Sequence, residues 1–252
     1  MKIGVQLYTV RDETEKDFIG TLEKIAEMGY EGVEFAGYGD LPATELRGHL
    51  DRLGLQAAGS HVSLEAMLED ADGQVAAMKT LGGTYLIIPF VDESKREDEA
   101  AWIEVFEQLG RISEKCQEAG LQFCYHNHDF ELTSHVQGMP ALDAMAKHLS
   151  SQQLKLELDV CWIQHAGLSP VSYIQQYRQR VPLIHYKDLA LAEDGTPLTV
   201  ELGKGQLPLQ AIAAAADQNG VEWLIVEQDE CQIGSLDSIR NNRQWIRQHL
   251  SL

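Results

Sequence analysis

The sequence predicts an α/β protein folded as a single (β/α)8 TIM barrel, and three observations carry that reading. Eight short β-rich runs alternate with amphipathic helical stretches along 252 residues, the chain opens on a strand and closes on a helix, and the runs are nearly continuous in apolar residues. Such alternation specifies parallel strands joined by helical crossovers, and a strand buried on both faces shows no polar alternation. A barrel of this kind takes about 250 residues, and no Pro-, Gly- or Ser-rich linker divides the chain, so residues 1–252 read as one domain. An open doubly wound sheet would place a glycine-rich phosphate loop after its first strand, whereas the turn here reads QLYTVRD, without glycine.

The first strand is expected at residues 2–8, and a helix follows over 14–28, where Phe18, Leu22, Ile25 and Met28 recur at spacings of three and four. Strands at 31–36 and 55–61 flank a helix at 41–53, and a helix at 63–81 leads into the apolar run TYLIIPF, a strand at 84–90. A helix at 97–119 precedes the strand at 121–127, and one at 138–149 precedes the strand at 154–160. Helices at 169–180 and 207–219 lead to strands at 182–187 and 223–228; the last helix, 235–250, carries Leu236, Ile239, Trp245, Ile246 and Leu250 on one stripe. Gly29, Gly54, Gly82, Gly120 and Gly220 fall where a helix C-cap takes a left-handed residue before the next strand.

A formal net charge of −19 argues against a surface built to neutralise phosphates, so nucleic acid is not an expected partner. No apolar run reaches the roughly 18 residues of a membrane span, and MKIGVQLY lacks the apolar core of a signal peptide, so the expected location is cytoplasmic, away from membranes. Four separated cysteines, Cys116, Cys124, Cys161 and Cys231, form no C-x-x-C pair and read as small buried hydrophobes.

The chemistry collects at the downstream ends of the apolar runs FCYHNH (123–128), LKLELD (154–159), LIHYKD (183–188) and LIVEQD (224–229). In a barrel the C-terminal ends of the strands converge on the catalytic face, so His126, Asp159, His185 and Glu227 form one candidate site for a divalent cation. His126 stands closest to the end of its run and is preferred, with His128 and Glu131 as rivals. For Asp159 the structural alternative is a helix N-cap or an ion pair to a lysine on a neighbouring strand. His185 and Lys187 share a strand face by the period of two, which aims an imidazole and an ammonium together into the barrel mouth; the structural alternative for Lys187 is a salt bridge to Asp188. Glu34 and His61, ending the second and third strands, are candidates for proton transfer or substrate contact. Gln6, Tyr8, His128 and Trp162 complete the expected substrate contacts, and Trp162 with Phe35 is a candidate apolar wall against a sugar ring.

With GVQLYTVRD at its start and GVEFAGY, YHNHDFEL, DVCWIQHAG, HYKD and VEQD following in order, the chain resembles the xylose isomerase-like TIM-barrel superfamily, and within it the sugar phosphate isomerase/epimerase group. The resemblance spans nearly the whole chain, and its specificity lies in the ordered set of motifs. It implies one divalent metal ion, Mn2+, Co2+, Mg2+ or Zn2+, held by a strand-5 Glu, a strand-6 Asp, a strand-7 His and a strand-8 Glu. The last three positions fall on Asp159, His185 and Glu227, but His126, followed by Asn127, stands where ketose epimerases have the first Glu. Those epimerases use their two ligand glutamates as the acid/base pair, so their mechanism does not transfer unchanged. The YHNH segment is similar to the His-rich segment of inosose dehydratases and of lyases acting on 3-keto sugars. The leading expectation is therefore a metal-dependent sugar (phosphate) isomerase or epimerase working through a metal-bound enediolate on a small sugar, keto-sugar or polyol. Glu227 or Glu34 would move the proton, and Lys187 and His61 would contact substrate oxygens. The alternatives are a carbon-oxygen lyase dehydrating an inosose or 3-keto glycoside, and a non-catalytic sugar-binding barrel. Apurinic endonucleases of the same superfamily need a three-zinc cluster and a basic face, which this acidic chain does not offer. A homo-oligomer is compatible with the sequence.

Overall fold

A computed structural model of the chain describes residues 1–251. Eight parallel strands, β1 (Lys2–Gln6), β2 (Gly32–Phe35), β3 (Gln56–His61), β4 (Tyr85–Ile88), β5 (Gln122–His126), β6 (Lys155–Asp159), β7 (Leu183–Tyr186) and β8 (Trp223–Val226), pair in chain order, and β8 closes onto β1. The helices that follow them are α1 (Phe18–Met28), α2 (Ala43–Leu53), α3 (Leu64–Leu81), α4 (Glu99–Glu118), α5 (Ala141–His148), α6 (Pro170–Gln176), α7 (Leu209–Gln218) and α8 (Ser235–His249). Every strand and helix expected from the apolar pattern is present, and the five junction glycines all have positive φ.

The strands end earlier than their apolar runs, for local reasons. β4 stops before Pro89, which has no backbone N–H for the ladder, and β1 stops at Gln6, whose side chain accepts the Tyr8 N–H and starts a 3-10 turn over Leu7–Val10. Helix α3 is kinked at Asp70 (φ −144°), whose carboxylate accepts the Gly73 N–H and so starts a second helical segment. Two hairpins were not expected: His135–Val136 with Met139–Pro140, and Asp188–Leu191 with Pro197–Val200. Among the described residues no helix is long and apolar enough to cross a membrane.

A large apolar core fills the space between strands and helices, and a separate one plugs the N-terminal end of the barrel interior: Ala58, Tyr85, Ile87, Cys124, Leu183, Trp223 and Ile225. Trp223 occupies the space left by glycines on β1 and β2. A Cβ on Gly32 would meet its ring at 2.7 Å, and one on Gly4 would meet Ile225 at 2.7 Å. Cys116, Cys124 and Cys161 are buried and Cys231 half-buried, all as free thiols.

Candidate functional site

Above the apolar plug the interior turns polar. The deeper tier consists of Glu34 on β2, His61 on β3, His126 on β5, Glu157 on β6 and His185 on β7; all but His61 are buried, and Glu34, Glu157 and His185 completely so. Gln6 Nε2 donates to Glu34 Oε2 at 2.8 Å, and that oxygen also lies 2.7 Å from His185 Nε2 and 3.1 Å from His61 Nε2. Glu157 Oε2 faces three imidazole nitrogens: His61 Nε2 at 2.8 Å, His126 Nδ1 at 3.1 Å and His185 Nε2 at 3.2 Å. The second oxygens of Glu34 and Glu157 are buried without a hydrogen-bond partner. Gly59 makes room for this tier, since a Cβ there would stand 2.8 Å from Glu34 Oε1.

The upper tier surrounds Lys187. Its ammonium, 1% exposed, lies 2.7 Å from Glu227 Oε2, 3.0 Å from Asp159 Oδ2 and 3.1 Å from Asp229 Oδ2. Glu227 Oε2 also meets His185 Nδ1 at 2.6 Å, which links the tiers. Both structural alternatives for Asp159 hold at once: Oδ1 caps the short helix Val160–His165 by accepting the N–H groups of Cys161 and Trp162, while Oδ2 pairs with Lys187. The expected alternative for Lys187 does not hold. Asp188, on the opposite strand face, accepts the backbone N–H groups of Leu189, Gly203, Gly205 and Leu207, which fixes the hairpin beside the site and leaves Lys187 to the interior.

Burial and neighbouring charge set the protonation states. Burial alone would raise Glu227, but the Lys187 ammonium and His185 outweigh it and hold the carboxyl well below its ordinary range. Burial would lower Lys187 and His185, yet the surrounding carboxylates raise both well above their usual values. The same contest, with Glu34 and Glu157 as the acids, pushes His61 up to about 9. His128 goes the other way: burial, then Lys187, lower it to about 3, and its Nδ1 has no partner.

A cavity of about 400 Å3 opens above these tiers. Of the residues expected to touch substrate, Tyr8, His61, His128 and Lys187 line it, together with His126 and Glu227. Gln6 and Trp162 are not among its lining residues: Gln6 donates to Glu34, and Trp162 packs against His128, ring centroids 5.7 Å apart. Glu34 is likewise not among the lining residues, and its Oε2 contacts His61 and His185, both imidazoles of the deeper tier. Phe35 is buried in the outer core; the apolar wall comes from Pro89 and Phe90, with Arg96 packed over Phe90 and Phe130. Between the rivals of His126, Glu131 is turned away, accepting the Tyr125 hydroxyl at 2.6 Å and the His128 N–H at 2.7 Å.

Sequence reasoning missed Glu157 and Asp229, although the signal was present. Each lies two residues from a residue that was singled out, Asp159 or Glu227, and therefore on the same strand face. Whether the site suits a divalent cation is decided by its donors. Two groups bring ligand atoms within 4.8 Å of one another, His61, His126, Glu157 and His185 in one and Asp159, His185 and Glu227 in the other. Imidazole and carboxylate are ligands for Mn2+, Co2+ and Zn2+, and the buried, unpartnered oxygens of Glu34 and Glu157 have lone pairs to offer, so the residues fit the group.

Comparison with known proteins agrees with this architecture. The model of the family described as "Xylose isomerase-like TIM barrel" matches residues 22–249. An inosose dehydratase of Geobacillus kaustophilus is 22% identical over 190 residues, covering 67% of this chain and 61% of that protein, so the match spans less than two thirds of its length. An inosose dehydratase of Lacticaseibacillus casei is 20% identical over 251 residues, covering 86% of this chain and 83% of the relative. Among solved structures, a sugar phosphate isomerase/epimerase of Parabacteroides distasonis superposes with a TM-score of 0.83 at 22% identity, covering 98% of both chains. The IolI protein, solved with a bound zinc atom, superposes with a TM-score of 0.78 at 16% identity over the full length of both. At these identities the structural likeness is one of fold.

Proposed function

We propose that this chain, which belongs to the xylose isomerase-like TIM barrel family, is a metal-dependent enzyme that removes the proton beside the carbonyl of a small polyhydroxy ketone and then expels a β-hydroxyl as water. The observation that carries the reading is the unequal wall of the cavity. Its carboxylates, Glu227 and Asp229, come from the segment just after β8, while the side formed by the ends of β3 and β5 presents the imidazoles of His61, His126 and His128. A two-carboxylate exchange across the substrate carbon would need a carboxylate on the opposite wall, and among the described residues none lines it there. One carboxylate suffices for elimination on a single face. Glu227, kept ionised by Lys187, takes the proton from carbon and, once protonated, returns it to the departing hydroxyl, so that water leaves and an enone remains. A bound divalent cation would polarise the carbonyl and stabilise the charge that develops on its oxygen. Lys187 and His128 present hydrogen-bonding groups to the remaining substrate oxygens.

The inosose dehydratases among the relatives support this reading, and the likeness to a sugar phosphate isomerase/epimerase supports a second, in which Glu227 returns the proton to the adjacent carbon and the product is an isomer. Incubation of the metal-loaded protein with an inosose and with ketoses in D2O separates the two. Elimination gives an enone absorbance with loss of water; isomerisation gives carbon-bound deuterium in a product of unchanged composition. Glu227→Gln is expected to lower kcat for either reaction by about 1,000-fold or more. Retention of activity within about tenfold in that variant would remove Glu227 from the mechanism.

A further inference from the structure

We infer that the substrate is uncharged: the cavity takes a polyhydroxy ketone bearing neither phosphate nor carboxylate, and packs its carbon–hydrogen face on Phe90, a specificity-determining contact. The inference rests on the site proposed above and concerns what that site admits. The groups that would hold an anion give the first argument. In (β/α)8 barrels that bind phosphate, the phosphate frequently sits on the segments after the seventh and eighth strands, at backbone N–H groups and a helix N-terminus. After β7 those groups are already taken, because Asp188 accepts the N–H groups of Leu189, Gly203, Gly205 and Leu207. After β8 the Gln228 N–H goes to Thr9 Oγ1, and those of Asp229 and Glu230 go to Thr199 Oγ1. The helix Val160–His165 is capped in the same way by Asp159. At each place an internal carboxylate or hydroxyl stands where an anionic ligand would bind.

The side chains give the second. Among the described residues lining the cavity Lys187 is the one Lys or Arg, and its ammonium already contacts Glu227, Asp159 and Asp229. His61 turns Nε2 to Glu157 at 2.8 Å and to Glu34 at 3.1 Å. Two arginines packed on aromatic rings beside the mouth are committed to the protein as well. Arg11 stacks on Tyr8 and donates to the Tyr8 and Asp229 carbonyls, and Arg96 stacks on Phe130 and donates to the Val91 carbonyl. Glu227 and Asp229 face the same space, so a further anion would lose hydration and meet like charge without a free cation to offset either. The rest of the wall is apolar: Tyr8, Ala36, Pro89 and Phe90. Tyr8 and Phe90 remain 45% and 43% exposed, and covering them with the C–H face of a sugar or cyclitol ring is favourable. Phe90 is held edge-on by His128 and Phe130, with ring centroids 5.6 and 5.4 Å away, and so offers a fixed platform.

Calorimetric titration of metal-loaded protein tests this with a panel of inososes and ketoses, each beside a phosphorylated and a carboxylated counterpart. At least one neutral compound is expected to bind, with its charged counterparts weaker by about tenfold or more. Its affinity should be the same at low and high ionic strength. A charged compound that binds as tightly as its neutral counterpart, or a panel in which no neutral compound binds, would overturn the inference. Turnover of such a charged compound would leave the proposed reaction standing, whereas a neutral ligand that binds and does not react would keep the inference and sink the reaction. Phe90→Ala is expected to weaken binding of the neutral ligand by about tenfold at unchanged metal content, and Phe90→Trp to restore it. Equal binding by wild type and Phe90→Ala would overturn the role of Phe90 in specificity.

Discussion

The two ends of the barrel interior are made by the same eight strands and hold opposite chemistry. At the N-terminal end Tyr85, Ile87, Cys124, Leu183, Trp223 and Ile225 pack into an apolar plug. Two residues further along the same strand faces, Leu183 gives way to His185 and then Lys187, Cys124 to His126, and Ile225 to Glu227. The change occurs within one period of the pleat because inward-facing positions recur every second residue, with no transitional layer required. The plug closes the barrel and excludes water from below; the polar end carries charges whose burial is tolerated because each tier is paired or able to bind an ion. Stability and chemistry are therefore divided along the barrel axis.

The largest test of that division is Trp223→Ala. Gly4 and Gly32 offer no side chain to fill the space it leaves, so the loss is expected to be about 3–5 kcal/mol in denaturant unfolding, with kcat of the folded protein within about twofold. A collapse of kcat at unchanged stability would show that the two ends are coupled. A smaller effect is expected of Glu131, behind the polar end. Burial, partly opposed by the Tyr125 hydroxyl and the His128 N–H, raises it to about 7 from an ordinary 4.5. A folded-state value above the unfolded one means that its contribution to stability is fully present below pH 4.5 and is lost as the pH rises through 7, a difference of about 2–4 kcal/mol. Unfolding measured from pH 4 to 8 should show that slope in the wild type and not in Glu131→Gln; equal slopes would assign the pH dependence elsewhere. The smallest change is Gln6→Leu, which removes the bond to Glu34 and costs about 1–2 kcal/mol. Because Gln6 lies below the cavity, KM should hold while kcat falls. A raised KM at constant kcat would restore Gln6 as a substrate contact.

The legible and illegible parts of the site differ in a physical way. Asp159, His185, Lys187 and Glu227 could be found because each follows or ends a strongly apolar run, where a charged side chain has no local reason to be. Applying the period of two to β7 brought His185 and Lys187 together; applied equally to β6 and β8, it would also have brought in Glu157 and Asp229. Glu34 and Gln6 were recognised as strand-end residues, but whether a strand-end side chain faces the cavity or supports another from beneath depends on its height in the barrel. That height is set by the register between strands, including the shift between Val33 and Glu34 where β2 meets β3. Phe35 and Phe90 illustrate the same limit: both are aromatic residues at strand ends, and only Phe90 reaches the cavity.

Helix periodicity, glycine-capped junctions and doubly apolar strands are local properties, and from them alone follow the barrel, its eight units, the face bearing the site and most of its charged residues. Pairing is a property of the folded chain. That Lys187 is shared by Asp159, Glu227 and Asp229, while Glu34 and Glu157 face imidazoles, follows from distances between residues up to 151 positions apart in the chain. Electrostatic energy depends on those distances and on burial, neither of which any stretch of the sequence contains.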